Sequence, residues 1–286
     1  MTAPLRLRGM RPADIAFADA VRALAGWNQT RDDWTRFLAL EPAGCFLAEW
    51  NGQPAGTATT TIYGDNLAWI GMVLVHPEYR RRGVGRALLT HCLEFLRARG
   101  VRCIKLDATP AGQPVYEGLG FRPEWTLTRW EHEAAPNGRD PSAPLRAWRP
   151  EDLAALAELD ARAFGVPRTR LWEALVPRSQ RLRVIERPAG EVAGCGLLRK
   201  GARASYLGPV IAAGPADGLA LIDALLRGHS GGAVYWDIPD GNRPAKDLAR
   251  DLGFAAQRSL TRMFLGENRT SGNPAMQFAL AGPEVG

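Results

Sequence analysis

Between the glycine pair Gly83/Gly85 and Gly100, apolar residues recur at helical spacing: Leu88, Cys92 and Phe95, with Leu89, Leu93 and Leu96 beside them. This pattern predicts an amphipathic helix over 87–99 that opens at the glycine turn and ends at a Gly100 cap. The period changes on both sides. The apolar run 69–75 predicts a core strand, and the nearly continuous run Val101, Ile104, Leu106 and Ala108 predicts a strand buried on both faces. Upstream, 12–24 reads as helical and 45–63 as a hairpin with a glycine turn. Downstream, a helix carries Tyr116, and a last strand follows Gly120-Phe121.

The same order recurs in the second half, with a helix at 150–164 and a hairpin at 182–198. Arg11-Pro12-Ala13-Asp14 returns as Arg149-Pro150-Glu151-Asp152 and Gly52-Gln53-Pro54-Ala55-Gly56 as Gly190-Glu191-Val192-Ala193-Gly194, both 138 residues on. Trp69-Ile70-Gly71-Met72-Val73 matches Tyr206-Leu207-Gly208-Pro209-Val210 at an offset of 137, and Leu119-Gly120-Phe121 matches Leu252-Gly253-Phe254 at 133. A period of that length is a whole domain, so two similarly folded units are expected. The segment 134–144 is rich in Pro, Gly, Asn and Asp and poor in apolar anchors, which marks a linker. The expected division is a first domain over 1–135, a linker over 136–144, a second domain over 145–265 and a tail over 266–286. Strands interrupted by helices indicate an α/β fold, a mixed sheet with helices on both faces.

Composition narrows the field. A chain of 286 residues with a 46% apolar share has room for two ordinary cores. Its start lacks a basic region followed by an apolar stretch, and no run approaches the roughly 20 apolar residues of a membrane span, so no membrane partner is expected. Cys45, Cys92, Cys103 and Cys195 are scattered without CxxC spacing, which suggests neither a metal site nor a disulfide framework and fits a reducing cytoplasm. The net charge is +6, yet only Lys105, Lys200 and Lys246 among the 36 basic residues are lysines. The arginines are spread along the chain without interleaved aromatics, so nucleic acid is not the expected partner.

The chemistry concentrates in Val73-Leu74-Val75-His76-Pro77-Glu78-Tyr79-Arg80-Arg81-Arg82-Gly83-Val84-Gly85. A strand feeding a glycine turn that opens a helix presents free backbone N–H groups at the positive end of a helix dipole, which suits a phosphate-bearing ligand. Side chains at Gly83 or Gly85 would keep the backbone from closing on a pyrophosphate. The stretch is neither a Walker loop nor a dinucleotide fingerprint. It resembles the acyl-CoA signature of the GNAT superfamily of N-acetyltransferases, Arg/Gln-x-x-Gly-x-Gly/Ala after a strand ending in Val-x-Pro. Tyr116-Glu117-Gly118-Leu119-Gly120-Phe121 resembles the Tyr-x-x-x-Gly-Phe element of that superfamily, at the expected distance.

The resemblance implies two tandem GNAT-like domains, each a mixed, mostly antiparallel sheet with helices on both faces, and acetyl-CoA as co-substrate. Val73, Leu74 and Val75 would hold the thioester and pantetheine. Backbone amides over Arg81, Arg82, Gly83, Val84, Gly85, Arg86 and Ala87 would wrap the pyrophosphate, Arg80 opens the signature as a further cofactor contact, and Thr109 stands where the superfamily often has asparagine. Tyr116 would be the general acid for the departing thiolate. An amine with a pKa near 10.4 must lose a proton before attack; Asp107 and Asp65 are the available bases, beside a water relay.

The second unit has lost the signature. Its turn reads Ala212-Ala213-Gly214-Pro215-Ala216-Asp217-Gly218, in which a proline removes an N–H and an aspartate repels phosphate. Ala249 stands at its tyrosine slot, while Asn242 and Ala245 keep an Asn-x-x-Ala spacing. An active first half and a degenerate second half are therefore expected. For the acceptor, a small-molecule primary amine, Trp27 and Asn28 in the loop after the first helix and Glu284 in the apolar tail are the candidate contacts. A non-catalytic acyl-CoA sensor is the alternative reading, and the oligomeric state stays open between monomer and homodimer.

Overall fold

The computed structural model describes residues 5–134, 138–139, 143–188, 190–269 and 271–286. The first half runs β1 (Leu5–Gly9), α1 (Ile15–Leu24), α2 (Arg31–Leu40), β2 (Cys45–Trp50), β3 (Gln53–Tyr63), β4 (Leu67–Val75), α3 (Val84–Arg97), β5 (Cys103–Ala108), α4 (Gln113–Glu117) and β6 (Arg122–His132). The second repeats it as β7 (Leu145–Arg146), α5 (Asp152–Phe164), α6 (Thr169–Leu175), β8 (Ser179–Glu186), β9 (Val192–Arg199), β10 (Ser205–Ala212), α7 (Pro215–Leu226), β11 (Val234–Pro239), α8 (Arg243–Asp251) and β12 (Ala255–Gly266), with β13 (Gln277–Ala279) in the tail. Of the expected linker, only 138, 139, 143 and 144 lie within the described residues.

The repeated Arg-Pro-x-Asp motif has a mechanical role. Asp14 accepts from the Arg11 amide at 2.7 Å and Asp152 from the Arg149 amide at 2.8 Å, so each aspartate caps its helix entry. Each also holds an arginine of the preceding strand, Arg8 or Arg146, both at 2.7 Å, and that arginine reaches on to Glu49 or Glu186 of the hairpin. Arg8 holds Asp14 below the usual carboxylate range, chiefly through that hydrogen bond.

The two halves are not separate bodies. One mixed sheet runs β1-β2-β3-β4-β5-β12-β6-β11-β10-β9-β8-β7, with β13 paired to β10. The last strand of each unit has crossed over: β12 pairs β5, β6 pairs β11, and the two exchanged strands pair each other, all antiparallel. Matched ion pairs lock the exchange. Arg262 of β12 lies opposite Asp107 of β5, with bonds of 2.9 and 3.0 Å, and Arg129 of β6 lies opposite Asp237 of β11, with bonds of 2.7 and 2.6 Å. All four are buried.

Parallel strands hydrogen-bond at the heart of each unit and then diverge. In the first, β4 and β5 pair only over Leu67–Trp69 and Cys103–Lys105; in the second, β10 and β11 pair only over Ser205–Leu207 and Val234–Trp236. The second wedge is filled by the tail. β13 pairs β10 at Val210 and Ile211, the Leu280 amide donates to Asp237 O at 3.0 Å, and Trp236 Nε1 donates to Phe278 O at 2.8 Å. Asn242 caps α8 and donates to Gln277 O at 3.0 Å, so the residue that kept the Asn-x-x-Ala spacing holds the plug.

The tail then crosses to the first unit. Trp69 Nε1 donates to Pro283 O and the Tyr63 hydroxyl to Val285 O, both at 2.9 Å. The repeated pair Gly71 and Gly208 makes the crossing sterically feasible. A Cβ on Gly71 would lie 2.4 Å from Glu284 O, and one on Gly208 would lie 2.1 Å from Leu280 O.

Candidate active site

A groove of about 740 Å³ opens at the unfilled wedge of the first unit, and ten of the residues singled out for the cofactor line it: Val73, Leu74, Val75, Arg80, Arg81, Gly83, Val84, Gly85, Arg86 and Thr109. Its shape begins at a β-bulge. Met72 has φ of +50° and the β3–β4 register slips beside it, while the buried Thr57 hydroxyl donates to Met72 O at 2.9 Å and fixes the kink. A bulge re-aims the residues that follow, here the amides of Val73 to Val75.

At the other end Gly83, the N-cap of α3, has φ of +81°, a left-handed conformation that a side chain would strain. Gly85 differs. A Cβ there would make only an ordinary 3.5 Å contact with Val75, so packing within the chain does not demand glycine, and a ligand close to the backbone would. Two expected contributors do not serve the groove as foreseen. The Ala87 amide donates to Gly83 O at 2.9 Å and closes the first helical turn, leaving the amides before it without a partner one turn back. The Arg82 guanidinium turns onto Trp50 and Tyr79, 5.5 and 5.9 Å from their ring centres.

A second cavity of about 160 Å³ is lined by Trp27, Gln29, Gly71, Met72, Asp107, Arg258, Leu260, Pro283 and Glu284 among others. Trp27, Val73, Thr109, Gly112 and Tyr116 belong to both walls, so the groove and the cavity meet at Tyr116. Burial pushes the Tyr116 phenol up to about 12, which keeps it a proton donor. The Thr109 hydroxyl accepts from the Gly112 amide at 3.2 Å and holds the turn that presents Tyr116.

Three acceptor-side or base candidates are sorted by their partners. Asp107 has both oxygens engaged by Arg262, and its counterpart Asp237 makes the matching pair in the half whose tyrosine slot holds Ala249. It is therefore a strand-exchange lock rather than a free base, although burial raises its pKa. Asn28 is also corrected: its side chain accepts from the Arg203 and Ala204 amides at 2.9 and 3.0 Å and donates to Ala204 O at 3.0 Å, pinning the acceptor loop to the second unit. Glu284 does reach the cavity, where Gln29 Nε2 donates to it at 2.8 Å and Arg199 lies 3.6 Å away. Asp65 is absent from the lining of both.

Gln29 and Arg258 were not singled out individually. Gln29 Oε1 is buried without a hydrogen-bond partner, an acceptor turned away from water. The cysteines offer no nucleophile, since burial raises all four thiols, Cys45 to about 12 and Cys103 to about 11. Among the described residues no helix is long and apolar enough to cross a membrane.

Strand order, bulge, glycine turn and tyrosine define the acetyltransferase fold, and comparison with known proteins agrees. The GNAT acetyltransferase family model matches residues 15–121 and a GNAT acetyltransferase domain model matches 156–279. The chain belongs to the GNAT family as a tandem protein with two such domains. It is 29% identical over 233 residues to the uncharacterized N-acetyltransferase YitH of Bacillus subtilis, spanning 80% of each chain. A candidate acetyltransferase from Pyrococcus horikoshii superposes with a TM-score of 0.82 at 25% identity, over 100% of this chain and 97% of that one. A tandem GNAT protein from the clavulanic acid biosynthesis pathway shares the fold with a TM-score of 0.68 at 19% identity, over 92% and 98%.

Proposed function

We propose that the first unit transfers an acetyl group from acetyl-CoA to the primary amine of a small molecule by direct attack, and that the second unit has no such site of its own. The observation that carries this is the junction: a groove with cationic and free-amide walls and a separate small cavity meet at one tyrosine. Arg80, Arg81 and Arg86 supply positive charge beside the α3 N-terminus, where a pyrophosphate is favoured. Bound there, acetyl-CoA supplies an acetyl group activated as a thioester.

The chain's own groups then divide the work. The Val73 N–H, aimed by the bulge at Met72, donates to the carbonyl oxygen and stabilises the charge that develops on it. Gln29 Oε1 and the Glu284 carboxylate accept from the amine, which orients its lone pair and gives its proton a destination. Tyr116 gives its proton to the departing sulfur, whose own affinity for a proton rises in the same partly desolvated wedge. In the second unit Phe278 and its neighbours occupy the equivalent wedge, and Ala249 offers no acid.

The test is acetyl transfer to an amine panel by the full chain and by Tyr116→Phe. The reading expects transfer by the full chain, with the variant slowed and its acetyl-CoA affinity unchanged. Acetyl-CoA binding without transfer to any amine would instead favour a sensor.

A further inference from the structure

Among the described residues Arg258 is the one arginine in the lining of the acceptor cavity, and it belongs to the second unit. It reaches the first unit because β12 is exchanged. A bulge at Gln257, where the β12–β6 register slips between Ala256 and Arg258, turns the following side chain out of its alternation. The symmetric bulge in β6 falls at Glu124, and the residue after it is Trp125, so the charge at 258 is not part of the repeated framework.

Its bonding is unusual for a guanidinium in this interior. Arg129 has Asp237, Arg262 has Asp107 and Arg168 has Asp160, each at 3.0 Å or less. Among the described residues the Arg258 side chain makes no hydrogen bond or ion pair, and its Nε is buried without a partner. Asp237, whose charge acts on it, is already held by Arg129 and by the Tyr206 hydroxyl. A partly buried cation left unpaired is costly, and a carboxylate presented in the plane of the fork would satisfy it. The same cavity is lined by Glu284 and by Gln29, whose Oε1 is buried without a partner and calls for a donor. Its volume of about 160 Å³ is well beyond the roughly 10–15 Å³ that one water needs.

We propose that the acceptor is a small amino acid, its amine received by Gln29 and Glu284 and its carboxylate by Arg258, which the second unit lends to the active site of the first. This rests on the acetyltransferase reading above and narrows it. A free amine without an acid group leaves Arg258 unpaired, and an amino-acid amide removes the charge that would pair with it.

The experiment uses the full chain saturated with CoA. It is titrated with the common α-amino acids, with ω-amino acids of three to six carbons, and with the decarboxylated amine and the amide of each. Acetyl transfer to the same panel is measured with acetyl-CoA. At least one amino acid is expected to bind and to be acetylated roughly 10- to 100-fold better than its amine and amide partners, the range for a charge-assisted hydrogen bond. Arg258→Met should raise KM with little change in kcat and erase that preference, and Arg258→Lys should restore part of it. The proposal is overturned if no amino acid binds, if amines or amides match the acids, or if Arg258→Met leaves the preference intact. Acetyl-CoA affinity is read in parallel, so loss of cofactor binding is told apart from a wrong acceptor class.

Discussion

Gly218→Ala tests the filled wedge by the sign of its effect. Gly218 lies in the first turns of α7, where alanine ordinarily stabilises a helix by about 1 kcal/mol over glycine. Here a Cβ would stand 2.4 Å from Phe278 Cγ and Cδ2 and 2.5 Å from Cδ1, against the roughly 3.5–4.0 Å of a good carbon–carbon contact. The ring must move by about 1 Å or more. It is fully buried, and its backbone is tied through Trp236 and β10, so it has nowhere to slide. Overpacking of this kind costs about 1–3 kcal/mol, and complete ejection of the ring would cost the roughly 3–5 kcal/mol of a Phe→Ala change. After the helix gain is subtracted, a net loss of up to about 2 kcal/mol is expected if the ring is accommodated, and of about 2–4 kcal/mol if it is ejected, in urea unfolding followed by far-ultraviolet circular dichroism. In a Phe278→Ala background the same substitution should become neutral or stabilising, a coupling of about 3 kcal/mol. A Gly218→Ala protein more stable than the parent would place Phe278 elsewhere and refute the plug.

Other perturbations separate chemistry from architecture. Tyr116→Phe should lower kcat by about 100-fold or more, the scale of general-acid catalysis, with acetyl-CoA affinity unchanged by calorimetry. Because burial holds the phenol near 12, the parent's transfer rate should rise with pH as the amine loses its proton and show no alkaline decline below about pH 10; a fall between neutrality and pH 9 would remove Tyr116 as the acid. Asp107→Asn leaves Arg262 buried and unpaired, so a loss of about 3–5 kcal/mol in stability is expected with the pH profile of the remaining activity unmoved. A displaced pH profile would instead return Asp107 to the chemistry. Residues 1–135 alone lack β12, which leaves the apolar strand β5 with a bare edge, so that fragment should show no cooperative unfolding transition; a sharp transition would show that the exchange is dispensable.

Local signals in the sequence located the elements well, because helical and strand periods are set by burial on one face or two. The glycine turn, the 69–75 strand and the Tyr116 segment stand where their patterns put them. α2 was not foreseen, although Thr30 and Asp33 form a capping box at its start. The exchange of β6 and β12 was not legible for a deeper reason. The two strands are repeats of each other with similar alternation, so each carries a pattern that fits either sheet, and the choice of partner is a long-range matter. The same holds for Arg258, whose role depends on which sheet its strand enters. Gly218 read as a remnant of a phosphate loop, yet its lack of a side chain admits Phe278. Asn28 read as an acceptor contact because an amide in a loop is unassigned until its partners are known, and those lie at 203 and 204, far along the chain.

The most direct test is a calorimetric titration of the whole chain with acetyl-CoA, repeated with Gly83→Val, which cannot keep the left-handed turn at the α3 N-cap without strain. One site per chain is expected, lost or strongly weakened in the variant. Two sites, or one site indifferent to Gly83→Val, would contradict an account in which the first unit alone binds the cofactor and the second is filled by its own tail.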